Sequence, residues 1–268
     1  MNTVSDSVED KMIGSITGAV GHVIFNNPAK HNAVSLDMWH RFGQLLDEYE
    51  SNDRLRAVVI SGAGGRAFVS GADISKFESE RATKEAVAHY GKVSGQSYEK
   101  LLNFSKPTIA KINGYCIGGG MNVAVACDLR FCEENARFAI PAAKLGLGYG
   151  YYGVARLSRL VGVSRAMEMF YTARQFPAGE AYEMGLVNKV VSAEELEAVV
   201  ADVTRRISEN APMTIAAIKA SAIEIGKAPD QPNHAKLDAM VQACFDSEDY
   251  IEGRRAFMEK RKPQFKGR

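Results

Sequence analysis

The stretch Ile117–Asp128 has the sequence IGGGMNVAVACD, in which three consecutive glycines precede small apolar residues and one polar side chain, Asn122. A glycine in regular structure costs roughly 0.5–1 kcal/mol relative to alanine. Glycine clusters therefore indicate a backbone that another group approaches closely. A buried strand, TIAKINGYC (108–116), is predicted directly before the stretch, so the glycines follow the end of a strand.

A second stretch of small residues also follows a predicted buried strand. SGAD, Ser70–Asp73, comes after LRAVVIS (55–61) and the glycine-rich segment GAGGRAFV (62–69). In both stretches the next element can begin as a helix, whose first amide N–H groups have no partner within the helix. Two such groups that converge on one oxygen would form an oxyanion hole, and a larger side chain would block the oxygen.

The segment GAGGRA (62–67) also fits the dinucleotide-binding pattern G-x-G-x-x-A. That fingerprint opens directly into a helix and has an acidic residue about 20 residues later. Here FVSGADI continues as extended or turn-like sequence instead. A nicotinamide-dependent enzyme is therefore the disfavoured alternative, and NADH binding would be its signature.

Composition excludes several classes of function. The 268 residues carry 33 basic and 32 acidic side chains, a net charge of +1, so no global field recruits nucleic acid or an anionic membrane. The four cysteines show no CxxC pair, which favours reduced thiols and no metal site. The N-terminal MNTVSDSVEDK is polar, and no apolar run reaches the roughly 18 residues of a membrane span. The sequence predicts a cytoplasmic protein.

The hydrophobic pattern predicts an α/β core followed by a helical appendage. MIGSITGAVGHVIF reads as two strands, and LRFCEE and ARFAI as shorter ones. Ser35 is expected to cap a helix that buries Trp39, Phe42, Leu46 and Tyr49, and Thr83 to Asn103 is expected to be helical. One late strand, LVNKVV (186–191), interrupts further helices at 164–172, 178–184, 193–209, 212–226, 232–246 and 248–262. We expect a core over residues 1–200 and a helical region over 201–268.

Several ordered motifs resemble the crotonase superfamily, the enoyl-CoA hydratase/isomerase family. They run from NNPAKHNAVS through SGAGGRAFVSGADISKF, KPTIAKINGYCIGGGMNVAVACDLRF and ARFAIPAAKLGLGYG to AYEMGLVNKVV and EGRRAFMEKRKPQF. The resemblance implies a β/α spiral core with a C-terminal helical trimerisation region, assembled as a homotrimer or hexamer. It implies an acyl-CoA substrate, with coenzyme A as part of that substrate and no tightly bound cofactor.

The resemblance also implies roles for individual residues. The two oxyanion amides would be those of Ala72 and Gly119. The remaining positions match residues that contact coenzyme A. They are Ser70, Gly71 and Ile74 around the adenine, Lys30 and Arg66 near the phosphates, and Phe257 and Lys260 over the coenzyme of a neighbouring subunit.

The chain departs from the family where hydratases carry two glutamates that hold and deliver water. Asn122 and Ala142 occupy those positions, and neither side chain exchanges protons at neutral pH. Tyr149 resembles a tyrosine of crotonase-fold acyl-CoA decarboxylases, and a phenol with a pKa near 10 is a poor base. Both residues also have a non-catalytic interpretation. Asn122 can be a hydrogen-bonded polar residue at a helix start, and Tyr149 can be an aromatic residue that lines the pocket.

Three functions follow from this departure. The first is a lyase with hydratase-like activity through a modified mechanism, in which a backbone oxyanion hole stabilises a thioester enolate. The second is a malonyl-type acyl-CoA decarboxylase, since decarboxylation needs no strong base. The third, from a different class, is a non-catalytic acyl-CoA binder.

Overall fold

The computed structural model describes residues 8–76, 80, 82–225 and 232–268. Its strands are β1 Met12–Thr17, β2 Val20–Phe25, β3 Ala57–Gly62, β4 Ala67–Val69, β5 Thr108–Ile112, β6 Tyr115–Ile117, β7 Leu129–Glu133, β8 Arg137–Ala139, β9 Phe176–Pro177 and β10 Lys189–Val191. Its helices are α1 Val8–Lys11, α2 Leu36–Glu50, α3 Lys84–Leu102, α4 Gly119–Ala126, α5 Tyr151–Val161, α6 Val163–Thr172, α7 Ala178–Glu183, α8 Ala193–Ser208, α9 Pro212–Ile225, α10 His234–Asp246 and α11 Glu248–Glu259.

The strands form two sheets, which confirms the α/β prediction. The six-stranded sheet has the order β1-β2-β3-β5-β7-β10, and the four-stranded sheet has the order β4-β6-β8-β9. In the smaller sheet β4, β6 and β8 are parallel neighbours. Parallel strands end at the same edge of a sheet, so the loops that follow β4 and β6 emerge side by side. These loops contain SGAD and the glycine run.

Helix α2 forms for the reasons that its sequence predicts. The Ser35 side chain accepts a hydrogen bond from the Met38 amide, as an N-cap does. The predicted apolar face is buried, and its aromatic rings pack edge to face with one another and against Phe25 from β2. The buried residues of this face are Trp39, Phe42, Leu46 and Tyr49.

Two parts of the chain differ from the predicted pattern. No helix is predicted over Tyr151–Val161, where α5 forms around glycines that lower helix propensity. The late strand is shorter than LVNKVV, because the amides of Leu186 and Val187 both donate to the Ala181 carbonyl at the end of α7. The expected boundary at residue 200 falls within α8, so the division into two regions stays a prediction.

Polar contacts attach the C-terminal helices to the rest of the chain. Lys219 on α9 donates to the Asp128 carboxylate at 2.7 Å and to the Lys106 carbonyl at 2.7 Å. Asp249 on α11 accepts hydrogen bonds from the amides of Lys266 and Gly267, which hold the chain end against the helix. The buried Lys219 side chain therefore attaches α9 to the core, and Asp249 attaches the chain end to α11.

Three further observations concern membrane spans, metal-binding groups and cysteines. No helix in the described ranges is both long and apolar enough to cross a bilayer. Within those same ranges no three His, Cys, Asp or Glu side chains are grouped to bind a metal. The four cysteines are free, and burial raises the pKa of the Cys127 and Cys132 thiols to about 12, so these two stay protonated at neutral pH.

Candidate active site

The two loops of small residues lie in van der Waals contact. A Cβ atom built on Gly119 would lie 3.7 Å from the Gly71 Cα atom. A Cβ atom on Gly120 would lie 2.2 Å from the Val69 carbonyl oxygen, a distance that no side chain tolerates. Gly118 has a φ of +54°, which disfavours other residues. The glycine run is therefore needed to bring the start of α4 against the end of β4.

Each loop contains an amide, that of Ala72 or that of Gly119, that has no acceptor among the described residues. Hydrogen bonds from Val34 to the Gly71 carbonyl (2.9 Å) and from Asp73 to the Val34 carbonyl (3.0 Å) flank Ala72 without using its amide. Gly119 is the first residue of α4, so its amide has no partner within the helix. Among the described residues neither amide donates to a protein acceptor. Both donors stay available to a ligand oxygen.

Asn122 and Tyr149 form a hydrogen-bonded pair. The Tyr149 hydroxyl donates to Asn122 Oδ1 at 2.7 Å, which turns the Asn122 amide nitrogen away from the phenol. The Tyr149 ring packs edge to face on Phe170, with centroids 4.8 Å apart. A Cβ atom on Gly153 would lie 2.4 Å from Tyr149 Cε1, so only glycine leaves room for the ring. Asn122 follows Gly119 by one helical turn, so the pair lies within one turn of the helix start that holds the free amide.

The environment of Tyr149 decides its protonation state. Burial raises the pKa of Tyr149 to about 12, against a smaller lowering by the hydrogen bond with Asn122. The phenol is therefore neutral at physiological pH and can donate a proton but not accept one. Ala142 is buried and contributes only a methyl group. The two positions that carry glutamates in hydratases hold no carboxylate here.

The structure adds two residues that the sequence analysis does not single out. The Tyr98 hydroxyl on α3 donates to the Gly119 carbonyl at 3.4 Å, and its ring packs on Trp39. Arg156 on α5 has Tyr98 and Tyr149 among the titratable groups that shift its pKa. No local signal identifies Tyr98, which reaches Gly119 from α3, and Arg156 lies in a helix that the sequence does not predict.

The two residues predicted to bind phosphate differ in their contacts within the protein. Lys30 donates to the Asp73 carboxylate at 2.9 Å and to the Ser75 hydroxyl at 2.6 Å. Burial acts to raise the pKa of Asp73, but the hydrogen bonds from Ser75 and Lys30 outweigh it and hold that pKa below its ordinary value. The charge of Lys30 is thus shared with Asp73. The Arg66 side chain is exposed.

The predicted adenine-contacting residues belong to the same loop as Ala72. The Ser70 hydroxyl donates to the Lys30 carbonyl at 3.3 Å, and Gly71 contacts the glycine run. Ile74 begins a short 3-10 turn, Ile74–Lys76, where the sequence analysis allows a helix start. The Ile74 side chain lies outside the described residues.

Phe257 and Lys260 lie at the end of α11, in a separate part of the molecule. Phe257 is 82% exposed and lines a cavity of about 1150 Å³ between α9, α10 and α11. Neither Ala72 nor Gly119 lines that cavity. Lys260 ends α11 with a φ of +52°. This cavity therefore does not connect Phe257 and Lys260 with the loops that contain Ala72 and Gly119.

Comparisons with known proteins agree with one another. The family described as enoyl-CoA hydratase/isomerase matches residues 15–268. The chain is 37% identical over 253 residues to the short-chain-enoyl-CoA hydratase of Clostridium acetobutylicum, covering 94% of this chain and 96% of the relative. It is 34% identical over 255 residues to the carnitinyl-CoA dehydratase of Escherichia coli (strain K12), with 94% and 96% coverage.

Solved structures show the same relationship. The chain superimposes with a TM-score of 0.92 and 32% identity on an enoyl-CoA hydratase/carnithine racemase from Magnetospirillum magneticum, covering 97% of this chain and 96% of that one. An enoyl-CoA hydratase from Bacillus anthracis gives a TM-score of 0.87 at 30% identity, with 96% and 100% coverage. The expected crotonase fold, with two mixed sheets and C-terminal helices, is confirmed.

Proposed function

This chain belongs to the enoyl-CoA hydratase/isomerase family, and we propose that it transforms acyl-CoA thioesters through an enolate bound by the amides of Ala72 and Gly119. One observation carries the proposal: two loops in contact each contain a backbone donor that has no acceptor in the described part of the chain. Such preorganised donors stabilise charge that develops on a carbonyl oxygen, and removing one typically costs about 10²–10³ in rate.

The first reaction that we propose is lyase chemistry of the hydratase type. Water adds to Cβ of an enoyl thioester, the π electrons move to the thioester oxygen, and the proton that the water loses is transferred to Cα, so that OH and H add across the double bond. Asn122 would hold the water, and Tyr149 would fix the orientation of the Asn122 amide through their 2.7 Å hydrogen bond. No carboxylate at position 122 or 142 deprotonates the water, so we expect slower hydration than two glutamates achieve.

Decarboxylation of a malonyl-type acyl-CoA is the second candidate, and the Asn122–Tyr149 pair favours it. The bond between Cα and the carboxylate breaks, carbon dioxide leaves, and the electron pair moves into the enolate. A proton then returns to Cα from Tyr149 or water. The neutral phenol suits this step, because its pKa of about 12 keeps the proton in place until the enolate forms.

Incubation of the purified protein with crotonyl-CoA and, separately, with methylmalonyl-CoA tests the two reactions. Mass spectrometry distinguishes addition of water from loss of carbon dioxide. Crotonyl-CoA turnover at the rates usual for two-glutamate hydratases would refute the role given to the missing carboxylates. Calorimetry with coenzyme A completes the test, since tight binding without turnover of either thioester would instead support a non-catalytic binder.

We also propose that further copies of this chain cover the C-terminal helices, as a trimer or hexamer would. Large apolar side chains are exposed there, and they border the cavity that Phe257 lines. The most exposed of them are Ile218, Ile225, Phe257 and Met258. Apolar surface of this kind is typical of subunit interfaces. In such an assembly Phe257 and Lys260 would lie over the coenzyme of a neighbouring subunit.

A further inference from the structure

Arg156 is a half-buried cation on the face of α5 that points toward the candidate active site. Gly153 lies one helical turn before it, and the Tyr149 ring rests on Gly153. Arg156 therefore lies on the side of the helix against which the Tyr149 ring packs. Among the described residues it forms no hydrogen bond and no ion pair.

The charges around Arg156 do not neutralise it. Burial lowers the pKa of Arg156, while the Glu99 carboxylate and the Tyr98 phenol act in the opposite direction. Glu99 is exposed and forms no ion pair with the guanidinium. Because an arginine does not deprotonate in proteins, a positive charge remains beside the two phenols. A half-buried guanidinium that has no protein carboxylate as a partner can bind an anion that arrives with a ligand.

The two phenols connect Arg156 with the reacting groups. Tyr98 contacts the carbonyl of Gly119, whose amide is one proposed oxyanion donor, and Tyr149 contacts Asn122. The Asn122 amide nitrogen, turned away from Tyr149, is a further donor at this place. The polar groups near the proposed acyl site thus include amide and phenol donors, and Arg156 on the same face of α5 as the Tyr149 contact adds a positive charge.

We propose that Arg156 selects acyl-CoA substrates whose acyl chain ends in a carboxylate, that is, monothioesters of dicarboxylic acids. This inference rests on the proposed function, because it requires the thioester at Ala72 and Gly119. The planar guanidinium binds a carboxylate through two parallel hydrogen bonds, which a lysine cannot reproduce. Arg156 would be a specificity residue and would take no part in proton transfer.

Calorimetric binding of two saturated thioesters tests the inference without requiring turnover. Glutaryl-CoA ends in a carboxylate, and 5-methylhexanoyl-CoA carries an uncharged isopropyl group of similar size in its place. We expect the native protein to bind glutaryl-CoA more tightly, and Arg156→Met to reduce that preference about 10- to 100-fold. Arg156→Lys should keep part of the preference. Arg159→Met, which removes an exposed charge from the same helix, should leave it unchanged.

The outcomes separate this inference from the proposed function. Equal binding of the two thioesters by the native protein would overturn the role of Arg156 and leave the acyl-CoA site in place. An unchanged preference in Arg156→Met would do the same. Failure of the native protein to bind either thioester would overturn the proposed function together with this inference. The comparison within the native protein needs no variant, so it decides the question even if Arg156→Met does not fold.

Discussion

Replacing Tyr149 with phenylalanine removes one oxygen atom from the candidate active site and leaves the ring in place. The ring keeps its edge-to-face contact with Phe170 and its close approach to Gly153. The change deletes the 2.7 Å hydrogen bond to Asn122 Oδ1. Tyr149→Phe therefore isolates the polar function of the side chain from its packing.

The expected loss of stability is small, because Asn122 is half-buried and water can replace the phenol. A neutral hydrogen bond contributes about 1 kcal/mol net, which corresponds to a fall of roughly 2–4 °C in melting temperature for a chain of this size. The expected loss of activity is larger. Without the phenol the Asn122 amide is free to rotate and the proposed proton donor is lost, so we expect kcat/KM to fall about 10²- to 10³-fold.

The assay is kcat/KM on whichever thioester the native protein turns over, for Tyr149→Phe, Asn122→Ala and the double variant. If the pair acts as a unit, the double variant is little worse than either single one. Tyr152→Phe is the matched control, since that tyrosine is 71% exposed on α5. A kcat/KM within about twofold of native for Tyr149→Phe, or losses that add in the double variant, would refute the pairing argument.

Burial raises the pKa of Tyr149 from 10.0 to about 12. The folding stability that this raised pKa contributes is therefore fully present below pH 10 and is lost as the pH rises to 12. The melting temperature of the native protein should fall more steeply over that window than that of Tyr149→Phe, and parallel curves would contradict the raised pKa. Gly120→Ala places a Cβ atom 2.2 Å from the Val69 carbonyl oxygen, so we expect a loss of several kcal/mol in unfolding free energy by denaturant titration. The control Gly95→Ala, with open space around its Cβ in α3, should stabilise by roughly 0.5–1 kcal/mol; equal behaviour of the two variants would refute the steric argument. Met258→Asp, at a side chain 79% exposed on α11, should reduce the mass measured by light scattering, and an unchanged assembly would place the subunit contacts elsewhere.

Much of the local structure is predictable from the sequence, because it depends on neighbours along the chain. Ser35 caps α2, and the buried face of that helix follows from its apolar spacing. Helices α6 to α11 form close to the predicted ranges, since their apolar periodicity and capping residues are local signals. Helix α5 is not predicted, because it contains Gly153, which lowers helix propensity and is required by the packing of the Tyr149 ring.

The order of small residues in SGAD and IGGGMN predicted two loops with exposed amides, and the positions of Asn122 and Ala142 predicted a site without paired carboxylates. Tertiary structure decides three further features. The two loops touch, Tyr149 donates to Asn122, and Tyr98 donates to the Gly119 carbonyl. Each of these relationships joins elements separated by many residues, and sheet pairing and helix packing bring them together. Periodicity records which face of an element is buried, but it carries no information about which distant side chain lies opposite.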